Sequence, residues 1–204
     1  MTPDSFLPSP VGLAIVLIAY IIGTIPFGVL VARWMGSPDP RTRGSGNIGC
    51  TNVLRVAGTR AAAVTLLMDA TKGMLAVWAA GTLMGTPAWA EASGIAAVAG
   101  HVFPLWARFR GGKGVATAIG ALLVLSPITA CALVGLWMLV LSVTRYVSLA
   151  SVIAAAVLPV AATFLRAGST IFAYTVAAMI ILRHRENLIR LWHGNEAKLG
   201  AKAR

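Results

Sequence analysis

Between Val11 and Ala32 the chain runs without one charged side chain, a length sufficient to cross a hydrocarbon core of about 30 Å as a helix. Lipid offers backbone N–H and C=O groups no partner, so such a run must close its hydrogen bonds internally. The remainder agrees, being 58% hydrophobic and only 11% charged with a mean hydropathy of +0.82, where soluble domains carry about 25% charge. The expected class is an all-α integral membrane protein. Met1 to Pro10 contains Asp4 and no Lys or Arg, so the basic leader of a secretory signal is missing and the first span is expected to stay in the mature protein.

Apolar segments read at about 11–33, 62–84, 92–107, 115–126, 128–144, 149–165 and 170–182, which predicts about seven transmembrane helices in one domain, 1–204, or five or six crossings with one re-entrant piece if short spans pair. Several are shorter than the roughly 20 residues of a standard span, so tilting, local thinning or a break at Ser126-Pro127 is expected. Basic loop residues mark the cytoplasmic side. With the N-terminus outside, Arg41, Arg43, Arg55 and Arg60, then Arg108, Arg110 and Lys113, then Arg145, and finally the basic tail from Arg183 to Arg204 all fall inside. Arg166, Asp4 and Glu91 remain outside. The C-terminus is therefore expected to be cytoplasmic, in a multi-pass protein.

That asymmetry explains the net charge of +11 without nucleic acid, since there is no separate basic domain and only 7% aromatic residues to stack on bases. Cys50 and Cys131 have no metal-ligand spacing, so neither a metal nor a disulfide is expected. No internal repeat is visible. Gly81 and Gly85 form a small-xxx-small pair suited to close helix packing.

Three polar cassettes interrupt the apolar sequence, all on the predicted cytoplasmic side. In the first, Gly44 to Arg55, Ser45, Asn47, Thr51, Asn52 and Arg55 gather donors around Gly44, Gly46 and Gly49, and Arg55 offers a planar fork for a phosphate. Its Gly-x-Gly-x-x-Gly spelling lacks the strand–turn–helix context of a dinucleotide site. In the second, Gly111-Gly112-Lys113-Gly114 precedes an apolar helix whose N-terminus would present free amides beside the lysine. Gly114 after Lys113 excludes a Walker A loop. In the third, His184 and Asn187 share a helix face with Arg190 one turn on. Two features stay open: Asp69 and Lys72, one turn apart inside a span, read as an ion pair or as a substrate-facing lysine, and His101 as a structural or a catalytic histidine.

Glycines, hydroxyls, amides and fixed cations at a membrane surface describe an enzyme that handles a phosphate beside something greasy. With Asp69-x-x-Lys72-Gly73, Gly100-His101-x-Phe103-Pro104 and His184-x-x-Asn187-Leu188-Ile189-Arg190, the cassettes resemble the PlsY family of bacterial acyl-phosphate:glycerol-3-phosphate acyltransferases across nearly the whole chain. One departure is Cys50, where the family usually has Ala. The resemblance implies seven spans, an external N-terminus, an active site on the cytoplasmic face of the bacterial inner membrane, and no metal or other cofactor. It also implies the reaction: a fatty acyl group moves from acyl phosphate to the 1-hydroxyl of glycerol 3-phosphate, giving lysophosphatidic acid and phosphate, the first acylation of phospholipid synthesis.

Carried over residue by residue, Ser45, His184 and Asn187 are the expected catalytic residues. Asn47, Thr51, Asn52, Arg55, Lys72, His101, Gly111, Gly112, Lys113 and Gly114 join Ser45 as expected substrate and phosphate contacts. His184 is read as accepting the hydroxyl proton or orienting the acceptor; the donor's own phosphate is the alternative proton acceptor. No His-x-x-x-x-Asp motif occurs at His101, His184 or His193, which excludes the large acyltransferase class that uses it. A transporter of a phosphorylated metabolite is the rival reading, but it calls for midplane charge and repeated halves, whereas these cassettes cluster at one surface.

Overall fold

The computed structural model describes residues 9–164 and 170–200. Asp4, Arg166, Lys202 and Arg204, which entered the charge argument, lie outside them. The described residues form helices α1 (Pro10–Gly23), α2 (Phe27–Trp34), α3 (Cys50–Met84), α4 (Pro87–Val102), α5 (Val115–Leu125), α6 (Pro127–Thr144), α7 (Val147–Phe164), α8 (Thr170–Arg183) and α9 (Arg185–Trp192), with one 3-10 turn at Leu105–Ala107. No strand occurs among them. Helices α3, α6 and α7 are long and apolar enough to cross a membrane, and α1 with α2 makes a fourth if the bent pair is one span.

The first apolar run is not one straight helix. It bends by 42° between α1 and α2, because Pro26 has no N–H to give and its ring drives Ile25 out of helical conformation. The predicted span at 62–84 begins earlier than expected: α3 starts at Cys50, inside the first cassette, and continues through a kink at Gly58, whose φ of 84° a residue with a side chain would resist. The predicted break at Ser126-Pro127 is present. Ser126 ends α5 and caps α6, its hydroxyl accepting from Thr129 N.

Packing is built from small residues at close crossings, as expected where lipid gives no hydrophobic drive between helices. Gly73 of α3 lies against the Thr117 carbonyl of α5, and Gly120 of α5 against the Ala70 carbonyl of α3, with no room for a methyl at either. Gly81 has ordinary clearance from Ala90, and Gly85 instead ends α3 in a left-handed turn, φ 67°. So the Gly81/Gly85 pair is not the tight crossing; Gly73 and Gly120 are. A second apolar core joins α4, α5, α7 and α8 through Val98, Val102, Leu122, Leu158, Phe172, Val176 and Ile180.

Candidate active site

The first cassette is a stapled loop. Gly44 and Gly46 take positive φ of 61° and 70°, allowing the chain to fold around Asn52 at the start of α3. The Asn52 side-chain nitrogen donates to the carbonyls of Pro40 (2.8 Å), Asn47 (2.9 Å) and Arg43 (3.1 Å), and its oxygen accepts from Ser45 N at 2.9 Å. Asn52 is buried and fully engaged. Expected as a phosphate contact, it is instead the post around which the loop is wound, leaving the Ser45 side chain exposed. Asn47 accepts from Gly49 N at 2.8 Å, tightening the turn into α3.

The second cassette departs from expectation in a similar way. Gly111 N donates to Val102 O at 3.2 Å and Gly112 N to His101 O at 2.9 Å, so these two amides are spent on the fold. Their lack of side chains has another cause: a methyl on Gly111 would strike the His101 and Val102 carbonyls, and one on Gly112 the His101 imidazole. Gly114 is left-handed at φ 81°, and just beyond it α5 begins, where a helix leaves its first amides unpaired. Arg183 holds the loop from the side, donating to Gly111 O at 3.0 Å and to Gly112 O at 3.3 Å, with its guanidinium 6.0 Å above the Phe103 ring.

Lys72 and His101, expected among the substrate contacts, are buried away from the pocket. The Lys72 ammonium meets Asp69 Oδ1 at 2.8 Å, His101 Nδ1 at 2.8 Å and Ile25 O at 3.1 Å. The ammonium is thus held by a counter-ion, an imidazole and a carbonyl inside the fold. The Ile25 carbonyl is available because the α1–α2 break releases it from helical bonding.

In the third cassette the helix breaks at His184, which stands between α8 and α9 instead of lying on one continuous helix. His184 Nδ1 lies 2.8 Å from Ile180 O, so the ring carries its proton there and keeps Nε2 as acceptor. Burial and the nearby Lys113 cation lower the His184 pKa to about 4, so it is neutral at physiological pH. Asn187 accepts from Lys113 Nζ at 2.5 Å and donates to Glu196 Oε1 at 2.6 Å. Glu196 also accepts from Ser148 Oγ at 2.7 Å and Arg190 Nε at 2.8 Å. Burial opposes its ionisation, yet these three donors hold its pKa below the ordinary value.

A polar pocket of about 210 Å³ opens where the cassettes meet, lined by Ser45, Asn47, Lys113, Arg183, Arg185, Glu186, Asn187, Arg190 and Leu182. The Lys113 pKa is lowered to about 8, chiefly by burial and further by Arg190 and Arg55 against the pull of Glu196. Arg55 stands beyond the lining residues, with Nη2 3.5 Å from Ala197 O, and Thr51, Gly111, Gly112, Gly114 and His184 do not line the pocket either. Sequence reasoning did not single out Arg183, Arg185, Glu196 or Ser148. Arg183 and Arg185 fall in the basic tail that marks the inner face, and nothing local ties Glu196 or Ser148 to residues that lie far off in the chain.

A helical membrane body with a cation-lined polar pocket where three chain-distant loops converge defines an anion-handling membrane protein. Comparison with known proteins makes it specific. The family model for glycerol-3-phosphate acyltransferase matches residues 13–194. The chain is 42% identical to a glycerol-3-phosphate acyltransferase of Bordetella pertussis, covering 99% of this chain and 97% of that one, and 46% identical to one of Halorhodospira halophila, covering 92% and 96%. It superposes on the crystal structure of PlsY (YgiH), an integral membrane glycerol 3-phosphate acyltransferase, in its glycerol 3-phosphate form with a TM-score of 0.87 and 36% identity over 93% of this chain and 96% of that one. Against the lysophosphatidic acid form the TM-score is 0.83 at 34% identity, with the same coverage. The chain belongs to the glycerol-3-phosphate acyltransferase family.

Proposed function

We propose that this protein transfers a fatty acyl group from acyl phosphate to the 1-hydroxyl of glycerol 3-phosphate, at the cytoplasmic face of a bacterial inner membrane, as one seven-span domain with an external N-terminus. The convergence of Ser45, Lys113 and Asn187 on one cationic pocket carries the reading. Membership of the family, and the glycerol 3-phosphate and lysophosphatidic acid forms of the PlsY structure it resembles, support the acceptor and the product class.

In this reading Lys113, with Arg55 and the arginines of the pocket rim, seats the phosphates and offsets their mutual repulsion. The acceptor hydroxyl oxygen attacks the acyl carbon, the carbonyl oxygen becomes an oxyanion, and the carbon–oxygen bond to phosphate then breaks. Ser45, held on the stapled loop, donates to the oxyanion or to a phosphate. A preorganised donor of that kind contributes about 10²–10³ in rate. Inorganic phosphate is a stable leaving anion, so no strong general acid is needed. The hydroxyl proton passes to the donor's own phosphate. His184, neutral but set back from the pocket lining, orients the acceptor, and Asn187 fixes Lys113.

The test is purified protein supplied with glycerol 3-phosphate and palmitoyl phosphate, with phosphate release followed over time and palmitoyl-CoA as the control donor. Turnover with acyl phosphate and none with acyl-CoA is expected. Comparable rates with acyl-CoA would overturn the donor assignment.

A further inference from the structure

The buried trio Asp69, Lys72 and His101 is unused by the reaction as written, yet it lies under the loop that carries Lys113. Asp69 and Lys72 belong to α3 and His101 to the last turn of α4. Lys72 is bonded to the other two and to Ile25 O, and His101 Nδ1 also lies 3.5 Å from Asp69 Oδ1. The far side of the imidazole, at Nε2, rests against Gly112 where any side chain would have to go. The His101 carbonyl accepts from Gly112 N. One residue thus contacts the loop with both its ring and its backbone, one position before Lys113.

A buried ion pair contributes little net stability by itself, since desolvation offsets the attraction, and replacing such a pair with apolar residues of similar size is often neutral. What this trio adds is direction: three acceptors around one ammonium fix the position of Lys72, the ammonium fixes the imidazole, and the imidazole fixes the height of the loop. Arg183 sets the loop sideways through the Gly111 and Gly112 carbonyls.

We propose that Asp69, Lys72 and His101 are positioning residues for the phosphate pocket, acting through the contact of His101 with Gly112 to hold Lys113 in place. This rests on the assignment of Lys113 to phosphate binding, so the experiment carries Lys113→Ala in parallel. Kinetics are measured on purified protein by phosphate release, varying glycerol 3-phosphate at saturating palmitoyl phosphate and then the converse, with the folded yield of each variant recorded.

Gly112→Ala is expected to raise the KM for glycerol 3-phosphate by about tenfold, and His101→Ala by about threefold or more. The double variant Gly112→Ala/His101→Ala has space for the new methyl. It is expected to bind glycerol 3-phosphate better than Gly112→Ala alone, a coupling that independent sites would not show. Asp69→Asn/Lys72→Met removes both charges together, leaves no unpaired ion, and is expected to insert and fold while repeating the KM effect of His101→Ala.

Single effects that simply multiply in the double variant would overturn the proposal. So would a His101→Ala or Asp69→Asn/Lys72→Met protein that loses folded yield while the folded fraction keeps a wild-type KM. If Lys113→Ala itself leaves the KM for glycerol 3-phosphate unchanged, the phosphate assignment fails, and this inference with it. If Lys113→Ala raises that KM and the coupling is absent, only the positioning role fails.

Discussion

Two groups of charged residues sit near each other and are organised by opposite rules. The buried trio contains one carboxylate, one ammonium and one imidazole, and the charge of Lys72 is met from within the fold by Asp69, with His101 and Ile25 O beside it. The pocket lining holds Lys113, Arg183, Arg185 and Arg190 against Glu186 alone, with Glu196 behind it joined to Arg190 and Asn187. Closed bonding marks charge that serves the fold, and surplus positive charge at an opening marks charge that awaits an anion.

The largest effect that would test this contrast comes from breaking the closed group on one side. Asp69→Ala leaves Lys72 buried without its counter-ion, a change that costs about 3–5 kcal/mol. The expected result is loss of folded protein from detergent extracts, seen as a lowered melting temperature or failed purification. An Asp69→Ala protein of wild-type stability would mean that the trio is not a closed charge group.

Next in size is Lys113→Ala. Removing a charge-assisted contact of about 1.5–3 kcal/mol should lower kcat/KM by roughly ten- to hundredfold while the protein remains inserted and folded. Lys113→Arg is not expected to rescue it, because a planar fork does not fit where a compact ammonium meets Asn187 in a glycine turn.

Acidity separates the two groups more finely. The Lys113 pKa is lowered to about 8; the cation loses its proton as pH rises through that value, so phosphate binding should weaken on the alkaline side. The KM for glycerol 3-phosphate is expected to climb above pH 8, approaching about tenfold per pH unit. The residual activity of Lys113→Ala should lack this limb. An identical limb in that variant would assign it to another group.

The smallest effect is expected at Arg108, an exposed residue outside the pocket lining. Arg108→Ala should stay within about twofold of wild-type kcat/KM, since exposed charges far from a partner contribute little. A loss comparable with that of Lys113→Ala would erase the distinction between charge that orients the chain and charge that binds substrate.

The helical class and the meeting of the cassettes were legible because apolar length and clustered donors are local properties. Ser45, Lys113 and Asn187 could be named from short motifs, and they do converge. What the motifs could not tell was which polar groups are already occupied. Asn52 looked like a free donor and is bonded to four backbone groups of its own loop. Gly111 and Gly112 looked like phosphate amides and are paired with α4. Lys72 reads two ways from the sequence, and the contacts that favour the ion pair come from Ile25 in the α1–α2 break and His101 of α4. Glu196 bonds to Ser148, far off in the chain, and no spacing rule reaches that distance.

The break at Thr24–Pro26 has a consequence for the order in which the chain assembles. The Ile25 carbonyl freed there keeps only a local bond from Phe27 N at 3.1 Å until the Lys72 ammonium on α3, 47 residues further along, adds a second. The α1–α2 segment therefore completes its hydrogen bonding only when α3 reaches it. Asp69 and Lys72 in turn bring a charge pair that hydrocarbon does not shelter. Insertion of this chain is thus expected to proceed by late release of its leading helices as a bonded group, with α1 through α3 leaving the insertion machinery together.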